Sequence, residues 1–236
     1  MLVQLAGGGQ KTLLSEVGSQ YLLPLFTTAE ACALRLVCRE FLAAVTEQPW
    51  EDSETVIKGS IAAWRACFPH ALCANVAENA FEEYEGTGLF VSDERSTLVE
   101  DADFVHFRGL RVLNMTGCPN VTDAAFAHLR GIHTLIMRFC GQMGITDAAF
   151  ANLCGIHTLD MSFCSQAGIT DAAFAHLRGI HSLDMSGCRQ RGRGITDAAF
   201  AHLRGIHTLN MSFCNQPVIT EMTPPFRTSA ASTRWT

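Results

Sequence analysis

One unit returns almost verbatim along the second half of this chain, and that recurrence limits the fold more than any other feature. The unit reads GITDAAFAHLRGIHTLDMSFC with small changes. Its first apolar strand position falls at Leu110, Ile132, Ile156, Ile180 and Ile206, at spacings of 22, 24, 24 and 26 residues. A two-residue insertion within residues 189–194 lengthens the last copy, and a degenerate half-unit, residues 99–109, precedes the first. A fixed period of this size marks stacked supersecondary units, each too small to bury a core alone.

Every unit carries two internal periods. Ile132, Leu135 and Met137 are apolar at positions 1, 4 and 6, and the alternation of 4 and 6 predicts a strand whose positions 3, 5 and 7 face the other way. Thr146-Asp147 then opens a helix as a cap, because a side-chain oxygen can accept from the orphan amides of a first turn. Phe150 and Leu153 fall on one helical face. Gly155 is expected to end the helix, since glycine tolerates a positive φ. A strand and a helix every 22–26 residues can form neither a sandwich nor a sheet with ordinary crossovers. The expected fold is an α/β solenoid, a horseshoe with parallel strands on the concave side and helices on the convex side.

The pattern L-x-x-L-x-L-x-x-C followed by I-T-D resembles the cysteine-containing subclass of the leucine-rich repeat family. Cys118, Cys140, Cys164, Cys188 and Cys214 fill its cysteine slot, and the match covers about half the chain. The resemblance implies buried cysteines next to the turn that follows each strand. The same residues would stand about one strand spacing apart, ~4.8 Å. No CxxC pair accompanies them, so neither a structural zinc site nor any other metal or cofactor is expected.

Three further ladders recur. His133, His157, His181 and His207 all occupy position 2, and His106, His128, His176 and His202 recur in the helices. A metal site needs convergent ligands of mixed type, whereas perfect periodicity follows from duplication of a structural unit. Asp123, Asp147, Asp171 and Asp197 read as helix-capping residues, not as catalytic carboxylates. No nucleophile, base and orienting group stand together outside these ladders, so an enzyme is not expected.

Residues 12–52 hold a different pattern. Leu34, Val37, Phe41 and Val45 follow a 3-4-4 spacing, which predicts one amphipathic helix. Thr27 with Glu30 reads as its cap and acidic first turn. The apolar run at residues 21–26 would form a second short helix or turn packed against it. The run Leu34-Arg35-Leu36-Val37-Cys38-Arg39-Glu40-Phe41, with Pro49-Trp50 nine residues on, resembles the second half of an F-box. That resemblance implies a helical module docking on a Skp-type adaptor and cullin of a ubiquitin ligase, with Leu34, Val37, Phe41 and Trp50 as adaptor-binding residues.

The remaining segments bound the domains. Residues 1–11 are expected to be a flexible N-terminus; their GGGQKT lacks the spacing of a phosphate-binding loop. Residues 53–98 read as a linker with a capping repeat, because residues 71–76 repeat the 1-4-6 pattern and residues 82–88 form an acidic loop. The repeats occupy residues 99–219. The proline-, serine- and threonine-rich residues 220–236 are expected to be disordered.

Charge and composition exclude other classes. The net charge of −6 is concentrated in residues 1–98, with 13 acids against 6 bases, while residues 99–219 balance 9 against 9. No segment is strongly basic, so nucleic acid is not an expected partner. The apolar stretch at residues 17–29 is shorter than the roughly 20 residues that span a bilayer, so no membrane association is expected. No basic region precedes an apolar run at the N-terminus, and ten cysteines without a secretory signal point to a reducing cytoplasmic or nuclear setting.

These observations predict a monomeric, non-enzymatic substrate-recognition subunit of a Skp–cullin–F-box ubiquitin ligase. A repeat scaffold with no ligase link is the alternative. A target protein would meet concave positions 5, 7 and 8, where copies depart from one another: Asn114, Ile136, Arg138, Phe139, Asp160, Phe163, Asp184, Asn210 and Phe213. An aromatic–arginine cluster is what interface hot spots favour. Asp160 and Asp184 would add a small acidic patch.

Overall fold

The computed structural model describes residues 21–77, 99–141, 144–188 and 194–214. Residues 1–11, the acidic loop at 82–88, the arginines at 189–193 and the tail from 220 lie outside the described residues.

The strands are β1 (Cys73–Asn75), β2 (Val112–Asn114), β3 (Thr134–Ile136), β4 (Thr158–Asp160), β5 (Ser182–Asp184) and β6 (Thr208–Asn210). They form one parallel sheet whose spatial order is the chain order. Register follows the repeat: Ala74, Leu113, Leu135, Leu159, Leu183 and Leu209 pair in sequence. Each residue therefore stacks on its own copy one unit away. Positions 1, 4 and 6 point inward, so Ile132, Leu135 and Met137 are buried together with Ile156, Leu159 and Met161.

The convex side is built from single turns: α4 (Asp123–Phe126), α5 (Asp147–Phe150), α6 (Asp171–Phe174) and α7 (Asp197–Phe200). Helices this short cannot hold themselves in water. Threonine is the N-cap in each, its hydroxyl accepting from the amide two residues on. The aspartates are therefore first-turn residues and not the caps expected from sequence. Their carboxylates reach the next unit instead. Asp123 accepts from Thr146 N and Oγ1 at 2.7 and 2.6 Å, and Asp147 binds Thr170 at the same distances. Asp171 repeats this on Thr196, and Asp101 of the half-unit on Thr122. Close approach is required here: a Cβ at Gly144 would sit 2.9 Å from Thr122 Cγ2. Gly155 lies beyond the helix end at Phe150; at φ +82° it turns the chain into the next strand.

The slot cysteines tie the same neighbours from inside. Cys140, Cys164, Cys188 and Cys214 donate their thiol protons to the carbonyls of Met115, Met137, Met161 and Met185, one unit back, at 2.9–3.2 Å. Burial pushes the Cys164 thiol far up and the Cys188 thiol up to about 12, so both stay protonated donors.

The N-terminal segment is a second, smaller core fused to the end of the solenoid. A 3₁₀ turn at Leu23–Leu25 leads into α1 (Thr28–Leu34), α2 (Arg39–Glu47) and α3 (Ile61–Cys67). Thr27 and Glu30 form a reciprocal capping box at the start of α1. Asp52 fixes the same turn, accepting from Thr28 N and Oγ1 at 2.7 and 2.8 Å. Burial opposes its charge, but hydrogen bonds from Thr28 and Thr55 outweigh this and hold its carboxyl at about 2.

The single helix expected through Leu34, Val37, Phe41 and Val45 is two helices. The chain leaves α1 through tight turns at Leu36 and Val37 and restarts at Cys38, an extended N-cap with φ −160°. Apolar spacing reports periodicity, not continuity, and only Val45 of the four is fully buried. Val45 joins Leu23, Ala31, Trp50, Phe68 and Ala71 in this core. Trp64 on α3 packs against both cores. Arg65 bridges them with hydrogen bonds to the carbonyls of Ala71 and Arg108 at 3.0 and 2.7 Å.

Removing one carboxylate should loosen a unit without disturbing its core. Asp147→Ala deprives Thr170 of two acceptors and is expected to cost about 1–3 kcal/mol. A fall in the urea midpoint with an unchanged slope checks this.

Candidate functional site

Concave position 5 carries Asn75, Asn114, Ile136, Asp160, Asp184 and Asn210, and all but one perform the same local task. The side-chain oxygen of each Asn or Asp accepts from the amide two residues on, at 2.9–3.1 Å. This is an Asx turn, which ends the strand and swings the chain out to position 8. The ladder is thus a folding device first. The signal in the sequence is an Asn or Asp followed two residues later by Thr or Ser, seen in four of the five full copies.

Ile136 is the exception, and its unit also carries Arg138. The Arg138 guanidinium reaches forward to Asp160, with Nε 2.5 Å from Oδ2. Asp160 is buried and neutralised by this pair. Asp184 differs. Its two partners, Ser186 N and Asn210 Nδ2, are both neutral. Among the described residues the expected acidic patch therefore reduces to one carboxylate without an ion pair, at Asp184.

Position 8 holds Gly117, Phe139, Phe163, Gly187 and Phe213, all at positive φ between 56° and 77°. At the first four, the geometry is set by the amides, which bond across to the following unit, as Phe163 N does to Ser186 O at 2.8 Å. Glycine meets this demand freely, and a side chain there costs roughly 1–2 kcal/mol. Three phenylalanines accept that cost at a surface. Phe139 and Phe163 stack with centroids 4.6 Å apart and planes within 8°. Phe163 remains 46% exposed and Phe213 70%. The Phe163 ring leans over Gly187, where a Cβ would lie 2.6 Å from it. The structure thus brings Arg138, Phe139, Asp160, Phe163 and Asp184 onto adjacent turns, with Asn210 and Phe213 at the far end. Asn114 sits at the near end, inside its own turn with Thr116.

The residues expected to meet an adaptor separate into different environments. Val37 is exposed, Phe41 is half-exposed and Leu34 packs partly on the smaller core. Trp50 is 2% exposed, edge-on to Phe68, with its indole N–H bonded to Val45 O at 2.8 Å. It is a core residue and cannot touch a partner. Sequence reading passed over Leu25 and Leu36, which are 78% and 89% exposed. Their signal was apolarity outside the helical period.

The position-2 histidines do stack, at 4.5 Å between successive rings with planes within 13°. Parallel rings cannot aim their lone pairs at one point. Among the described residues no three or more His, Cys, Asp or Glu side chains are grouped to hold a metal ion. Desolvation, then the charges of His157 and His207, lower the pKa of His181. No helix among the described residues is long and apolar enough to cross a membrane.

No protein-family model matches the chain, and no curated protein matches it. Solved structures do. TLR13 in complex with ssRNA13 aligns with a TM-score of 0.50 at 15% identity, over 74% of this chain and 23% of that one. Rad7, from the yeast Rad7–Elc1 complex, gives 0.38 at 19% identity, over 49% and 33%. The Toll–Spatzle complex of Drosophila gives 0.38 at 10%, over 74% and 28%. The chain therefore spans a third or less of each of these structures. The parallel sheet in chain order and the first of these alignments agree on the fold, an α/β leucine-rich-repeat solenoid.

Two outcomes follow from this geometry. Phe213→Gly relieves a left-handed side chain at an exposed site and should raise stability by about 0.5–1 kcal/mol, after the entropic cost of glycine. Chemical denaturation checks it. Acid should destabilise the histidine stack. With the folded pKa of His181 below the unfolded value near 6.5, its neutral-form stability is complete above that pH and lost as pH falls through and below it. A lower melting temperature at pH 5.5 than at 7.5, with a smaller drop in His181→Gln, checks the sign.

Proposed function

We propose that this protein is a non-catalytic receptor that joins a target protein to a ubiquitin ligase. The repeats hold the target on their concave turns, and the N-terminal helices dock on a Skp-type adaptor bound to a cullin. One observation carries the reading. Of the ten large apolar side chains exposed among the described residues, seven lie within residues 21–42: Tyr21, Leu22, Leu25, Phe26, Leu36, Val37 and Leu42. A second core already packs beneath them. A module built only to cap a solenoid needs an inner apolar face and gains nothing from an outer one, and an exposed apolar patch of this kind marks a protein contact. Two of the other three, Phe163 and Phe213, stand on the concave turns. The exposed apolar side chains thus concentrate at two separate parts of the chain, with Val105 apart from both, as a bridging molecule requires.

The adaptor-facing residues in this reading are Leu25, Leu36 and Val37, with Phe41 at the rim. Trp50 and Leu34 support them from below.

A pull-down of the full chain with a purified Skp-type adaptor tests the link. Leu25→Asp with Leu36→Asp should abolish capture, because both side chains are exposed and neither belongs to a core. The melting temperature should move little, as surface substitutions fall within about 0.5 kcal/mol. Absence of capture by the unaltered chain would leave the scaffold without a ligase link as the better reading.

A further inference from the structure

We infer that the edge of the solenoid where each helical turn leads into the next strand docks an acidic segment of a partner protein, held in extended form along a row of arginines. This surface is separate from the concave turns and from the N-terminal apolar patch, and it depends on neither of the readings given for them.

The repeats are balanced in charge but divided in space. Seven of their nine acids stand at helix starts, and the other two, Asp160 and Asp184, at strand ends. Each strand runs away from the helix-to-strand edge, and each helical turn leads back to it. The five connections on that edge are residues 105–111, 127–133, 151–157, 175–181 and 201–207. They hold five of the nine arginines, eight histidines and no acid.

Arg108, Arg130, Arg178 and Arg204 recur at the helix exit, and all four are exposed. Three are held by neutral groups of the following unit. Arg108 Nε donates to His128 Nδ1 and Arg130 Nε to Asn152 Oδ1, both at 3.0 Å, and Arg178 Nη2 lies 3.2 Å from His202 Nδ1. A carboxylate would tie the units more strongly than a neutral acceptor, yet none stands in the row. Among the described residues no carboxylate pairs with any of the four. With Nε engaged, Arg108 and Arg130 keep their terminal amino groups for a ligand. A guanidinium fixed in place with its charge unspent is preorganised for a carboxylate from outside. The position-2 row runs beside this one. His133, His157, His181 and His207 are exposed there, and at three of them Nδ1 lies 3.1 Å from the following threonine hydroxyl, which leaves Nε2 for a ligand.

The row from Arg108 to Arg204 spans four unit steps, about 19 Å at the spacing of neighbouring strands. An extended chain covers that length in about six residues. Cys154 takes the middle place, so the guanidinium charges fall in two pairs and call for acids toward both ends of the segment. A nucleic-acid strand fits less well. Phe107, the one benzene ring in these connections, is buried, and the position-2 imidazoles are stacked on one another. Bases therefore find no platform, and the net charge of −6 repels a long polyanion.

The test is fluorescence anisotropy of the full chain with a labelled, end-blocked hexaglutamate, and with hexaglutamine as its neutral counterpart. Hexaglutamate should bind saturably below about 1 mM and weaken several-fold as sodium chloride rises from about 25 to 150 mM. Hexaglutamine should not bind. Arg130→Gln with Arg178→Gln should weaken hexaglutamate by about fivefold or more. Arg204→Gln, which breaks no tie among the described residues, should weaken it by about twofold with the melting temperature unchanged. Arg39→Gln with Lys58→Gln removes the same charge from exposed sites in the N-terminal segment and should change binding by less than about twofold. Binding of hexaglutamine equal to that of hexaglutamate, full binding in the Arg130/Arg178 variant, or an equal loss in the Arg39/Lys58 variant would overturn the inference. So would tighter binding of a thymidine oligonucleotide of equal charge, which would make the edge a phosphate-backbone surface. Hexaglutamate binding that tightens tenfold when Glu82, Glu83 and Glu85 are replaced by Gln would overturn it too, because the chain's own acidic segment would then be the occupant.

Discussion

The solenoid depends on one contact repeated between neighbours: the aspartate of each helical turn accepting both the amide and the hydroxyl of the next unit's threonine. A four-residue helix has more unpaired amides than internal hydrogen bonds, and no unit could hold one alone. The threonine is the pivot. Its hydroxyl accepts from its own helix while donating to the previous unit's carboxylate. Local capping and long-range stacking thus share one side chain. The thiol-to-carbonyl bonds do the same work on the inner side, and Gly144 and Gly168, each just before an Ile-Thr-Asp, keep neighbouring backbones close.

Much of this was legible in the sequence because the repeat fixes register by itself. The 1-4-6 apolar pattern named the inward residues of every strand, β1 included; only at β6 are those residues, Ile206, Leu209 and Met211, partly and not fully buried. The role of the aspartates was legible only in part. One unit read alone places Thr-Asp at a helix start, but which oxygen caps and which reaches across depends on the neighbour's position. The Asx turns were missed for a similar reason: Asp160 and Asp184 look like surface charge until the amides of Ser162 and Ser186 are seen turned back upon them. In the N-terminal helices, the apolar spacing hid the break at Cys38, and the buried Trp50 carried the look of a contact residue. Aromatic residues mark cores and interfaces alike, and sequence does not separate the two.

The concave face shows where uniformity was given up. Copies that repeat the helix and strand almost letter for letter differ at positions 5, 7 and 8, where Ile136, Arg138 and Gly187 stand. A repeat that must only stack has no use for such departures. The strained phenylalanines argue the same point, since glycine at 117 and 187 makes the same turn without them. Stability was exchanged for an aromatic surface there, as is common where function and packing compete.

The threonine and cysteine bonds have a direction: in each, the later unit donates and the earlier unit accepts. A chain synthesised from its N-terminus therefore finds these acceptors already in place as every new unit emerges. Ending the array after any whole unit leaves an aspartate carboxylate and a carbonyl facing water, which solvates acceptors readily, and orphans neither a hydroxyl nor a thiol. The number of units is thereby free to change by duplication or loss without redesign of the junction, and the near-identity of the copies is what such a history would leave behind.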